Sequence, residues 1–198
     1  MKTIKMNPFK MLVNISFFML LLLSSCAQSE NKQANTDKNA EVKSKVDKPS
    51  QNIYSAVLSG NLDVVRQHIE AGTDINFKDQ MSGSTPLITA ITFGKTDIAK
   101  ALIDANADLS QKNNDGATAL HVAAFFGRIE IVQMLIDANA DKTIRNKYGA
   151  TARETVMGSF AEMKPIYDMV QLQLEPFGLK LDLEELKKAR PVIAMMLQ

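Results

Sequence analysis

The 198-residue chain is poor in the residues on which much protein chemistry depends: it has one Cys, two His and no Trp. A disulfide cannot close within a chain whose sole thiol is Cys26, and Cys26, His68 and His121 lie too far apart in sequence to assemble a Cys/His metal cage. Gly-rich phosphate loops and metal-ligand helices are missing as well, and no cofactor or small-molecule substrate is expected. Nor is there an excess of charge, since 23 basic and 22 acidic residues leave +1. Without Lys2, Lys5 and Lys10, which fall in a segment read below as cleaved, 20 basic residues face 22 acidic ones. No positive field is left to hold a phosphate backbone, so nucleic acid is not an expected partner.

Long apolar runs are equally scarce. Residues 11–23 form one of only 13 positions, short of the roughly 20 that a spanning helix needs. It follows three Lys unaccompanied by acid and precedes the small pair Ser24 and Ser25, the tripartite layout of a signal peptide. The string Leu23-Ser24-Ser25-Cys26 resembles the lipobox of bacterial lipoproteins. That resemblance implies removal of residues 1–25 and acylation of Cys26 by a diacylglycerol and an N-acyl chain, enough for a stable membrane anchor. It places the chain in a bacterial cell envelope, and Ala27 rather than Asp after the Cys points to the outer membrane. Residues 26–50 then read as a lipidated Cys with a disordered polar spacer, QSENKQANTDKNAEVKSKVDKPS, holding too little apolar surface for a core. About 24 flexible residues reach roughly 25–30 Å.

What remains repeats itself. Thr85, Thr118 and Thr151 lie 33 apart, as do Ala90 and Ala123, Gly94 and Gly127, Leu102 and Leu135, and Asp108 and Asp141. A worn earlier copy lies 34 residues upstream, pairing Ala56 with Ala90, Gly60 with Gly94 and Asp74 with Asp108, so the extra residue falls in the loop between Asp79 and Ser84. Each copy reads as helix, turn, helix and loop. Thr85-Pro86-Leu87 and Thr118-Ala119-Leu120 open first helices with Thr as the cap, and apolar residues at helical spacing mark second helices over residues 97–103 and 130–136. The second helices should end on residues that tolerate a left-handed backbone; Gly72, Asn106 and Asn139 stand there.

These motifs resemble the ankyrin repeat over residues 51–160. The resemblance implies an all-α solenoid of about four helix-turn-helix repeats whose stacking buries faces too thin to be stable alone. Residues 161–198 read as a helical C-terminal cap, in which Pro165 to Leu174 is amphipathic, Asp182 starts a helix and Pro191 starts a last one; the Met-rich end could instead bind a partner.

In the family, the His of the Thr-Pro-Leu-His opening is structural, which for His121 implies a bond to Thr118 and to the adjoining turn. His68, without a partner motif, reads as a surface or edge residue. Asp74, Asp108 and Asp141 recur at one repeat position, as local hydrogen bonding in the inter-repeat loop requires. No catalytic residue is therefore expected, a hydrolase being the least favoured alternative. Ankyrin stacks bind proteins through loop tips and the exposed side of their first helices. By that resemblance the binding residues are Met81, Phe93, Asn114, Asp115, Phe125, Phe126 and Tyr148, with Phe93 and Phe126 side by side as exposed anchors. The expected function is a membrane-tethered scaffold capturing a protein partner, or alternatively an inhibitor or immunity protein acting on an envelope enzyme or toxin.

Overall fold

The computed structural model describes Pro49 and residues 51–198; the signal segment, Cys26 and nearly all of the spacer lie outside the described residues. Capped amphipathic segments fold into helix pairs. Asn52 accepts hydrogen bonds from the amides of Tyr54 at 2.8 Å and Ser55 at 3.3 Å and opens α1 (Ile53–Ser59), which turns into α2 (Leu62–Glu70). Thr85 Oγ1 accepts from the Ile88 amide at 3.2 Å to open α3 (Pro86–Thr92), where Pro86 occupies a first-turn position whose N–H would have no helical partner. Its pair is α4 (Thr96–Asp104), followed by α5 (Ala119–Phe125) and α6 (Ile129–Asp137). The chain then forms α7 (Glu154–Met157), α8 (Phe160–Leu174), a 3-10 turn (Glu175–Phe177) and α9 (Leu183–Met196). Among the described residues there is no strand.

First helices α1, α3, α5 and α7 stack as one row, and second helices α2, α4 and α6 as another. Leu87, Ile91, Leu102, Leu120 and Leu135 are fully buried between the rows, and Ala90, Ala123 and Ala124 are the small residues that let neighbours approach. Each second helix leads into the left-handed residue expected from its sequence, Gly72 at φ 68°, Asn106 at 60° and Asn139 at 60°. Asp74 accepts from the Asn76 amide, Asp108 from the amide and hydroxyl of Ser110, and Asp141 from those of Thr143, so the recurring Asp does perform a recurring local task. These bonds hold the carboxyls of Asp108 and Asp141 below the usual carboxylate range.

The fourth repeat is discontinuous. α9 packs on α7 and α6 as α6 packs on α5 and α4, so the second-helix place beside α7 is filled by residues 183–196 after α8 and the turn have intervened. Asp182 caps α9 as expected, accepting from the amides of Glu184 at 3.0 Å and Glu185 at 2.9 Å. Two boundaries differ from the sequence reading: α8 already begins at Phe160, and α9 runs through Pro191 instead of restarting there. Both prolines are exposed, and a proline's φ is helical. The bond lost at Pro191 is to the carbonyl of Lys187, an exposed residue.

Candidate protein-binding surface

The loops between repeats end in short fingers built on one device. Asp79 accepts from the amides of Met81 (2.9 Å), Ser82 (2.7 Å) and Ser84 (2.8 Å); Asn113 accepts from Asp115 (3.0 Å) and Ala117 (2.9 Å); Asn146 accepts from Tyr148 (3.0 Å) and Ala150 (3.1 Å). The amides of Asp79, Asn113 and Asn146 close the fingers onto the carbonyls of Ser84, Ala117 and Ala150. The first of these fingers spans one residue more than the others, which absorbs the extra residue between copies. Successive fingers are then joined. Asn114 donates from its backbone to Ser82 O at 2.8 Å and from Nδ2 to Met81 O at 2.8 Å; Lys147 N donates to Asp115 O at 2.9 Å, and Tyr148 Oη to Asp115 Oδ1 at 3.2 Å. Partial burial and the neighbouring Asp115 carboxylate push the Tyr148 phenol up to about 12. Asp79, Asn113 and Asn146 were overlooked as a set, although their spacing of 34 and 33 carries the same signal as the helices.

Gly116 tests this ladder. It sits at φ +71°, and a Cβ there would stand 2.9 Å from the Lys147 backbone nitrogen that binds Asp115. Gly149 has the same backbone in open space. Gly149→Ala is expected to cost about 1 kcal/mol for the left-handed backbone alone, and Gly116→Ala roughly twice that, as read by urea denaturation. Equal costs would mean that the fingers are not coupled.

The predicted binding residues divide into two groups. Met81, 53% exposed, and Asn114, Asp115 and Tyr148, the first two exposed and the last half-buried, all stand on the finger ladder. The phenylalanines do not form the expected open aromatic pair. Phe126 is 9% exposed and closes α5 against the core; Phe93, at the equivalent end of α3, is half-buried against that core. Phe125 meets Phe126 edge-on at 5.0 Å between ring centroids and Tyr167 of α8 at 4.7 Å. For Phe93 and Phe126 the reason is that their rings turn onto the repeat core, and for Phe125 that α8 lays its own aromatic face over the end of α5, covering apolar surface that the sequence reading left for a partner.

Both histidines are hydrogen-bonded at both ring nitrogens. His121 Nε2 lies 3.0 Å from Ala150 O, and Nδ1 lies 3.3 Å from Thr118 N and 2.9 Å from its Oγ1, the structural role that the family resemblance implied. An Nε2–H tautomer donating to the carbonyl and accepting at Nδ1 meets all three contacts. Burial holds the imidazole below its ordinary range. Tyr54, at the same repeat position, reaches the corresponding carbonyl of the next finger, Ser84 O, at 2.9 Å. His68, expected at the surface or an edge, lies in the first repeat of the stack but is buried, its Nδ1 meeting Thr73 Oγ1 at 3.0 Å and its Nε2 meeting Gln51 O at 2.7 Å, which pins Gln51 onto α2. Among the described residues no group of three His, Cys, Asp or Glu side chains could hold a metal.

A second polar center lies at the C-terminal cap. Tyr167 Oη donates to Phe125 O at 3.1 Å and accepts from Arg190 Nη1 at 2.7 Å, while Arg190 Nη2 donates to Gly158 O at 2.8 Å. Sequence reasoning did not single out either residue, since both belong to the part of the chain where the period is lost.

The geometry is that of a repeat stack presenting ordered loop tips. An ankyrin-repeat family model matches residues 53–146 in three copies, and this part of the chain is an ankyrin-repeat stack. The chain is 44% identical over 64 residues to human protein phosphatase 1 regulatory subunit 27, covering 32% of this chain and 41% of that protein. The mouse protein of the same name gives the same figures. An ankyrin repeat-containing protein of Schizosaccharomyces pombe is 34% identical over 65 residues, 33% of this chain and 31% of the relative. The chain thus spans less than half the length of the curated relatives it matches. The repeats and the likeness to a regulatory subunit support a protein partner.

Proposed function

We propose that this protein is a membrane-tethered scaffold of the bacterial cell envelope, anchored through lipid on Cys26, that captures a protein partner on its finger ladder. The observation that carries the binding surface is the hydrogen-bonded register of three successive fingers, which holds Met81, Asn114, Asp115 and Tyr148 in fixed relation. A preordered surface loses little freedom on association, and Tyr and Met supply contact area. The anchor rests on the lipobox resemblance of Leu23 to Cys26. A second reading, regulation or inhibition of an envelope enzyme, is favored by the relatives named as phosphatase regulatory subunits.

Full-length tagged protein recovered from crosslinked envelopes tests both parts. Cys26→Ser is expected to move the protein into the soluble fraction, and its continued sedimentation with membranes would remove the anchor. Asp115→Lys with Tyr148→Ala is expected to abolish partner recovery with little change in helix content. Undiminished recovery would remove the finger surface, and inhibition of a recovered enzyme by the purified protein would decide for the regulatory reading.

A further inference from the structure

Between α7 and α9 lies an open pocket of about 430 Å³. Arg153, Lys187 and Arg190 line it, and no Asp or Glu does. Arg190 is 3% exposed, yet its guanidinium meets only neutral acceptors, the Tyr167 hydroxyl and the Gly158 carbonyl. Arg153 is held by Nε at 3.0 Å from Ala194 O. Among the described residues none of the three cations has a carboxylate within ion-pairing distance. A buried cation without a counter-ion is costly, and a carboxylate arriving at it gains charge-assisted hydrogen bonds in a partly dry setting. The walls are apolar: Met157 and Met195, 53% and 63% exposed, line the same opening, and methionine adapts to varied apolar shapes.

We propose that this pocket is a second protein-docking site, which takes a peptide segment bearing a carboxylate side chain flanked by apolar residues. Charge complementarity selects the carboxylate, and the two exposed methionines select its apolar flanks over a bare anion. The site goes beyond the finger surface and shares no residue with it.

Panning a random dodecapeptide library on the full chain, followed by NMR of the protein carrying 13C-methyl methionine with the tightest peptide, tests this. The enriched peptides should carry Asp or Glu beside apolar residues. The tightest should shift the Met157 and Met195 methyls while leaving Met81 unmoved. Lys187→Glu, an exposed position that does not threaten folding, should weaken binding by about tenfold or more, as should Gln in place of the peptide's acid. Enrichment of no peptide, equal binding by Lys187→Glu, or enriched peptides without an acid would overturn the proposal. Shifts confined to Met81 would overturn it too, while leaving the finger surface standing.

Discussion

Replacing Tyr167 with Ala is expected to destabilize the protein by about 4 kcal/mol, the largest effect foreseen for a single side chain outside the repeats. The ring is 0% exposed and packs on Phe125 and, at 5.9 Å between centroids, on Phe160. Its hydroxyl is the shared partner of the Phe125 carbonyl and the Arg190 guanidinium, and truncation leaves both short of a bond in a buried setting. Tyr167→Phe keeps the packing and removes only the hydroxyl, so it should lose roughly half as much. Chemical denaturation followed by far-UV circular dichroism separates the two. A cost under about 1 kcal/mol for the Ala variant would mean that α8 does not hold the end of the stack.

The second large effect is expected at His121, where Ala should cost on the order of 3 kcal/mol by opening a buried space and leaving Ala150 O and Thr118 N without partners. The same side chain gives the stability a pH dependence. Burial lowers its pKa from the ordinary 6.5, so just below that value the unfolded chain takes up a proton that the folded chain refuses. Stability from this group is present above 6.5 and declines as pH falls through it, until the folded form is protonated as well. Urea midpoints measured between pH 7.5 and 5 should therefore fall with acidification, and the fall should be shallower in His121→Gln. An unchanged slope would show that the imidazole does not titrate differently on folding.

The parts of the fold open to sequence reading are those in which one residue type answers one local demand in every copy. Gly72, Asn106 and Asn139 stand where the backbone turns left-handed, and Thr85 stands where the first helix needs an acceptor. Asp74, Asp108 and Asp141 were readable for the same reason. The candidate surface was half readable. Met81, Asn114, Asp115 and Tyr148 follow from their place in the repeat, but the fate of Phe125 depends on α8, a segment some 35 to 50 residues later that shares no period with it. The same non-local contact hides the discontinuous fourth repeat, because Glu154 to Met157 finds its helical neighbor only after residues 158–182 have passed. Arg153, standing where the earlier copies have Leu87 and Leu120, fits that arrangement by donating to Ala194 O of α9.

Binding through the ordered fingers requires that they, and not the backs of the second helices, meet the partner. Site-specific photocrosslinking in living cells measures this directly, with benzoylphenylalanine placed at Met81 or Tyr148 and, on the opposite row, at the exposed Lys100 of α4. A discrete adduct is expected at positions 81 and 148 and none at 100; adducts at 100 alone, or at none of the three, would contradict binding through the fingers.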